Sequence, residues 1–404
     1  MRRRVAITGL GVISALGGTA AETWDGLLAG RCGIGPVTLF DTSKDRTHTA
    51  AQITSFDPGR LLSLRDLRRA SRGDQIGLAA ALAAIEDAGL DLARLDRRRL
   101  GVLIGGGNGG LLQAEEYLRA ALVGAPRAPS TALGFFASTT ADRIASHLGC
   151  RGTVMTVQNA CSSASLAIGL AASQVACGED SIVLTGGVEI LSRTTYAGFN
   201  ALRLVDPERC RPFDRDRRGL SLGECAALMV LEDLESARSR GVRVYAEVAG
   251  HGMSADAHHM TAPDPQGEGI ARAMAAALRS AGIDADQVDH INAHGTGTEQ
   301  NDRAETRGIR RVLGGRAARI PVVSIKGMVG HCLGAAGAIE AFATALSIHH
   351  GMLPPTVGLE HPDPECDLDY VPGRARAVRV RVALSNSLAF GGNNGTLVLV
   401  RHEP

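Results

Sequence analysis

Cys161 follows the run Thr156-Val157-Gln158-Asn159-Ala160, where an apolar strand-like stretch gives way to a small-residue helix opened by Ser162, Ser163 and Ala164. A thiol at a helix start is placed for attack, because the positive end of the helix dipole favours the thiolate of a group whose free pKa is about 8.5. Two later segments, Asn292-Ala293-His294-Gly295-Thr296-Gly297-Thr298 and Lys326-Gly327-Met328-Val329-Gly330-His331-Cys332-Leu333-Gly334, each set one histidine among glycines after an apolar run. Glycine there removes bulk where something must approach closely.

An isolated cysteine is usually an inert packing residue, a reading that suits Cys32, Cys150, Cys177 and Cys225, and an isolated histidine is usually a satisfied core residue. The three residues together read differently. A Cys-His-acid hydrolase needs one base and has no use for a second glycine-bracketed histidine. Two neutral imidazoles, each donating an N–H, suit one developing oxyanion, such as the enolate of a thioester formed by decarboxylation. No carboxylate or thiol stands at the close helical or knuckle spacing of zinc ligands, so no metal is expected.

The elements that must carry these residues are legible in outline. At 404 residues, with 45% hydrophobic residues and 50 glycines, the chain suits two domains or one doubled α/β unit. Short apolar runs alternate with Ala-rich helical stretches, which predicts sheet layers covered by helices. Two echoes predict a duplication. The stretch from Ala83 to Asp91 is repeated from Ala276 to Asp284, and each copy is followed by an apolar strand and a Gly-rich turn. Likewise Val154 to Val157, with a helix ending near Gly178, is matched by Val322 to Ile325, with a helix ending near Gly351. Both of these helices are rich in Ala, Gly and Ser, so both are expected inside, between the halves. The division is placed near residue 250, giving an N-terminal half over 1–250 with the cysteine and a C-terminal half over 251–404 with both histidines. Arg209 to Arg218 is charged and irregular and reads as a surface loop.

Composition removes several function classes. A net charge of +1 gives no general attraction to nucleic acid or to an anionic membrane. Lysine occurs only at Lys44 and Lys326, so an ammonium kept near His331 implies a task that a guanidinium does not perform. Eight cysteines without paired spacing fit neither a disulfide framework nor a zinc motif, and point to a reducing cytoplasm. Met1-Arg2-Arg3-Arg4 and the apolar residues after it resemble a secretion signal only superficially, since glycines interrupt residues 9–18. No segment offers the ~18 consecutive apolar residues of a membrane helix.

These motifs together resemble those of the beta-ketoacyl carrier-protein synthases, the condensing enzymes of type II fatty acid and polyketide assembly within the thiolase superfamily. The resemblance runs from Val5-Ala6-Ile7-Thr8-Gly9-Leu10-Gly11 through Ala160-Cys161-Ser162-Ser163, Arg211-Pro212-Phe213-Asp214 and both histidine motifs to Asn386-Ser387-Leu388-Ala389-Phe390-Gly391-Gly392-Asn393-Asn394. It implies a thiolase-like doubled five-layer α/β/α/β/α sandwich, usually dimeric. It further implies that Cys161 takes an acyl chain from the phosphopantetheine of an acyl carrier protein, with the N–H groups of Cys161 and Phe390 as oxyanion hole. His294 and His331 would promote decarboxylation of malonyl-carrier protein, Lys326 would hold charge and geometry beside them, and Asp302, Glu305 and Glu340 would support them. Thr296 and Thr298 would hold the pantetheine amides, Phe199 and Phe390 would gate the pocket mouth, and no cofactor beyond the carrier's own arm is implied.

Arg203, and a stripe of Arg65, Arg68, Arg69 and Arg72, would meet the carrier protein. Some positions depart from the family pattern. Asn108 stands in the Gly-rich turn where an apolar residue is common at the acyl pocket, which points to a shorter or more polar, unsaturated chain. Cys225 replaces a usual glycine, Leu388 a usual phenylalanine, and Asn393 a usual threonine. The pathway is expected to be polyketide or polyene, or fatty acid, biosynthesis. The competing readings are housekeeping elongation alone and a non-catalytic chain-length-factor-like subunit, which would lack the nucleophile. The dimer would form with a second copy or with such a subunit. A thiolase would carry a second catalytic cysteine late in the chain, a pattern that Cys332 and Cys366 do not match.

Overall fold

The computed structural model describes residues 3–60, 70–125, 132 and 134–403. Ten strands carry the main sheet: β1 Val5–Ser14, β2 Leu100–Gly105, β3 Val154–Val157, β4 Ile182–Glu189, β5 Cys225–Asp233, β6 Ala246–Ala255, β7 His290–Asn292, β8 Val322–Val323, β9 Val382–Ala389 and β10 Asn393–Val400. Their spatial order is β8-β7-β9-β10-β6-β1-β5-β4-β2-β3. Read outward from the β6/β1 junction, both halves follow the same path: first strand, fifth, fourth, second, third. Strand directions repeat as well, parallel for β2 with β3 and β4 and for β7 with β8 and β9, antiparallel for the rest. The duplication read from the sequence is therefore a structural one.

The halves meet through the pairs Ala6 with Glu247 and Ile7 with Ala246. Residue 250 lies inside β6, the counterpart of β1, so the second copy begins in the turn before Ala246 and not at 250. A strand that opens a repeat cannot be divided without losing its ladder.

The helices used below are numbered along the chain: α1 Arg72–Asp87, α2 Thr139–Leu148, α3 Ser163–Cys177, α4 Arg193–Ala201, α5 Glu268–Ala281, α6 Glu299–Leu313 and α7 Ala336–His350. α1 and α2 cover the strands of the first half, α5 with α6 covers those of the second, and α3 and α7 lie between, touching strands of both halves and each other. This makes the five-layer sandwich. The middle layer is tight because its helices are built from small residues: a Cβ on Gly337 would fall 2.1 Å from Ser165 Oγ, and one on Gly105 would fall 2.4 Å from Ala164 Cα. α7 is buried from Ala336 through Ile348. The window Ala160–Cys177 reaches a mean hydropathy of 1.4, so by length and composition this helix could cross a membrane; here 61% of it is buried as the central layer.

The Arg209–Arg218 segment is not a surface loop. Phe213 is wholly buried and stacks on Tyr370 at 3.7 Å, and the Arg217 guanidinium is buried against Asp363 at 2.7 Å and Asp302 at 3.4 Å. Charge density suggested solvent, but the acids that neutralise Arg217 come from distant parts of the chain.

Candidate active site

Between β3 and α3 the backbone turns at Ala160, whose φ of 46° is left-handed and strained for a residue with a Cβ. Side chains hold that turn. Ser163 Oγ accepts from the Asn159 N–H at 2.7 Å and donates to the Ala160 carbonyl, also at 2.7 Å; Asn159 Nδ2 donates to Ser162 Oγ at 2.9 Å. The result is an elbow that puts Cys161 just before the helix and against the cavity.

Cys161 Sγ lies 3.1 Å from His331 Nε2. The sulfur also receives the backbone N–H of Phe390. Burial pushes the thiol up to about 11, against the opposing pull of the Lys326 charge and the Phe390 N–H. The resting group is thus a neutral thiol, and the thiolate expected from the helix start alone is not the resting state. Loss of solvation outweighs the dipole.

The His294 and His331 rings stand 5.1 Å apart and nearly perpendicular, at 85°. Both are held well below the ordinary histidine range, by burial first and by the Lys326 charge next, so both are neutral. Lys326 is buried, and its ammonium is bonded to the Glu340 carboxylate and the His294 carbonyl, with His294 Nδ1 at 3.3 Å. An ammonium can only donate, so Nδ1 of His294 accepts and its Nε2 carries the proton. Glu340 itself is pushed up to about 7 by burial, against Lys326.

Glu305, on α6, accepts the N–H groups of His294 and Gly295 at 2.8 Å each. Asp302 accepts from the Phe213 N–H at 2.7 Å and the Gly297 N–H at 3.2 Å. The two acids therefore clamp the His294–Thr298 turn through the N–H groups of His294, Gly295 and Gly297.

A cavity of about 300 Å³ opens over these groups, lined by Cys161, His294, His331, Thr296, Thr298 and the Phe199/Phe390 pair among others. The two phenyl rings stack at 5.6 Å and 19°, and the two threonine hydroxyls meet at 2.9 Å. Arg203 lines the exposed mouth.

Two expectations need correction. Asn108 does not line this cavity: its side chain accepts from Thr195 Oγ1 at 3.1 Å and donates to the Ile190 carbonyl at 3.3 Å. It stabilises the turn on which it sits. Arg72 does not project outward but bonds Glu224 at 2.8 and 2.9 Å and the Ile53 carbonyl at 2.6 Å, tying α1 to the start of β5. Arg65, Arg68 and Arg69 lie outside the described residues.

The sequence reading also missed Glu189. This buried acid at the end of β4 accepts N–H groups from Gly107, Asn108 and Gly334, joining a turn of the first half to one of the second. The lone acid closing Gly186-Gly187-Val188-Glu189 was the available signal. The one three-ligand grouping among the described residues, Asp214, Asp216 and His361, does not line the cavity.

A doubled five-layer fold whose central-layer helix presents a cysteine to two neutral histidines defines the thiolase-fold class of carbon–carbon condensing enzymes. The comparisons narrow this. The model for the N-terminal domain of beta-ketoacyl synthases matches residues 2–237 and that for the C-terminal domain residues 245–360, breaking at the turn before β6. The chain belongs to the beta-ketoacyl synthase family. It is 42% identical to a 3-oxoacyl-[acyl-carrier-protein] synthase 2 of Synechocystis over 411 residues, 100% of this chain and 99% of that protein. The ishigamide ketosynthase/chain length factor structure superposes with a TM-score of 0.95 at 39% identity, covering both chains fully. A ketosynthase of a type II polyketide synthase, solved with its acyl-carrier protein and bound to the hexaketide, superposes at 0.90 with 30% identity, again over both full chains. The chain is an acyltransferase of the ketosynthase type, acting in fatty acid or polyketide biosynthesis.

Proposed function

We propose that the cavity carries out acyl transfer and condensation with the following division of roles. In the first step Cys161 Sγ attacks the acyl thioester of a carrier protein and its thiol proton ends on the departing pantetheine sulfur, while His331 Nε2–H, 3.1 Å away, donates to the Cys161 sulfur as the proton leaves it. The N–H groups of Cys161 and Phe390 hold the oxyanion. Acylation removes the sulfur contact and leaves His331 facing the cavity.

In the second step the malonyl thioester oxygen lies between the two rings. His294 presents Nε2–H to it, because Lys326 holds Nδ1, and His331 completes the pair. The bond to the carboxylate breaks, carbon dioxide leaves, and the electron pair forms an enolate that attacks the Cys161 acyl carbonyl and releases the sulfur. Thr296 and Thr298, hydroxyls on the cavity wall, suit the pantetheine amides. No step calls for a metal or a redox cofactor. The observation that carries the reading is the joint contact of one thiol and two neutral imidazoles with one cavity.

The partners follow from the surface. Arg203 is exposed at the mouth and suits an acidic carrier protein. β3 is an edge strand of the sheet among the described residues and exposes Val154 and Met155, at 39% and 42%, with Phe135 and Phe136 also exposed, at 58% and 61%. An apolar open edge favours a second subunit, either another copy or a chain-length-factor-like relative. All eight cysteines are unpaired, in keeping with a reducing cytoplasm.

Intact mass spectrometry of carrier proteins incubated with the enzyme tests the roles. Cys161→Ala should abolish acyl transfer and condensation and keep malonyl decarboxylation. His294→Ala should keep acyl transfer within a few-fold and lower decarboxylation by about 100-fold or more. Condensation by Cys161→Ala, or full decarboxylation by His294→Ala, would overturn the assignment.

A further inference from the structure

The hairpin joining β9 to β10 closes over the cavity with Phe390, Gly391 and Gly392, and Ala389 pairs with Asn393 at its base. Gly391 takes φ 81° and ψ 1°, a left-handed conformation that a side chain would strain. Two peptides of this loop, Phe390–Gly391 and Gly392–Asn393, are each held from outside the turn and from its base. The Gly391 N–H donates to the Met260 carbonyl at 2.7 Å; the Gly392 carbonyl accepts from the Asp256 N–H at 2.8 Å and from Asn394 Nδ2 at 3.2 Å. The Phe390 carbonyl accepts from Asn393 Nδ2 at 3.3 Å.

The same amide nitrogen lies 3.0 Å from where a Cβ on Gly391 would be, so it sits directly over the turn. The peptide between Phe390 and Gly391 is therefore fixed at both ends, its N–H by Met260 and its oxygen by Asn393. Phe390 itself has two further tasks: its N–H reaches Cys161 Sγ, and its ring stacks on Phe199.

We propose that Asn393 is a positioning residue that latches this peptide, and through it holds the Phe390 N–H aimed at the Cys161 sulfur. A threonine there would have a shorter arm and a hydroxyl. The amide reaches one bond further across the hairpin, so in this chain the oxyanion donor is held by a side chain at the hairpin's own base. The inference rests on the proposed role of Cys161 as nucleophile, but its test does not need turnover.

The test is the rate of Cys161 alkylation by iodoacetamide, followed by peptide mass spectrometry from pH 7 to 10, in wild type, Asn393→Ala, Asn393→Gln and Asn393→Thr. An N–H on the sulfur favours the thiolate, so its loss should slow alkylation at each pH in Asn393→Ala by roughly threefold, the equivalent of half a pKa unit. Acyl transfer should fall in kcat by a similar factor with KM for the acyl carrier protein little changed. Asn393→Gln, which keeps an amide donor, should recover most of the rate, and Asn393→Thr should fall between.

A packing role alone would lower the melting temperature and leave the alkylation profile in place. An unchanged profile in Asn393→Ala, or failure of Asn393→Gln to differ from it, would overturn the latch. If instead Cys161→Ala retained condensation, the nucleophile assignment would fail whatever the Asn393 series showed.

Discussion

The two halves of the chain share one topology and differ in the connections that carry the chemistry. In the first half residues 158–162 join β3 to α3, a link so short that it needs a left-handed Ala160 and presents a single sulfur. In the second half residues 324–335 join β8 to α7, and the added length accommodates the helical turn Lys326–Val329 and then His331. The same contrast recurs one strand earlier. The turn after β2 and the turn after β7 are each clasped by a buried glutamate, Glu189 and Glu305, both pushed up to about 7 by burial. One of these turns carries no reactive group, and the other carries His294. Duplication supplied equivalent positions around a shared middle layer, and the length and residue types of the links set Cys161 in the first half and His294 and His331, on two successive links, in the second.

The strongest way to break that division is to remove the ammonium that serves the second half. Lys326→Ala leaves Glu340 buried without its partner and frees His294 Nδ1, so decarboxylation should fall by 100-fold or more, with roughly 3 kcal/mol lost in denaturant unfolding. Near-wild-type decarboxylation would show that Lys326 does not set the His294 tautomer.

Next in size is the contact on which both halves depend. Gly337→Leu would drive a side chain into Ser165, and destabilisation of about 3 kcal/mol should accompany loss of both half-reactions together. Loss of one half-reaction alone would mean that the middle layer is not shared in the way described.

The halves should also differ in pH dependence. The Cys161 thiol is raised to about 11, so below that value its thiolate fraction, and its alkylation rate, should climb about tenfold per pH unit from 7 to 10; a plateau near pH 7 would contradict this. The imidazoles are depressed and remain neutral as pH falls through the ordinary histidine range, so decarboxylation by Cys161→Ala should stay flat from pH 8 to about 6. The smallest effect is expected at the mouth. Arg203→Glu should raise KM for the carrier protein about fivefold, more at low salt than at high, without changing alkylation of Cys161.

Much of this site was legible along the chain because its chemistry is local. The glycines around His294 and His331, the small residues after Cys161 and the isolated Lys326 are all visible within a few positions of the reactive atoms. Arg72 and Asn108 show the limit. Arg72 belongs to a run of arginines that reads as a solvated stripe, but its partner Glu224 is 152 residues away. Asn108 sits in a turn that reads as pocket wall, and its hydrogen bonds to Thr195 and Ile190 turn it aside. Glu189 carried only the faint signal of an acid at the end of an apolar strand, and its use became clear only when Gly334 of the other half came to it.

The sequence by itself determined which groups exist and what each can do: a thiol at a helix start, two histidines freed of neighbouring bulk, one ammonium, and a strand and helix pattern written twice. Those properties are set by covalent chemistry and by periodicities of a few residues. Only the tertiary structure decided that the thiol rests protonated, that His294 carries its proton on Nε2, and that His331 touches a sulfur 170 positions away. Protonation and contact depend on how much water is removed and which charges remain nearby, and both are fixed by packing the two halves against one middle layer.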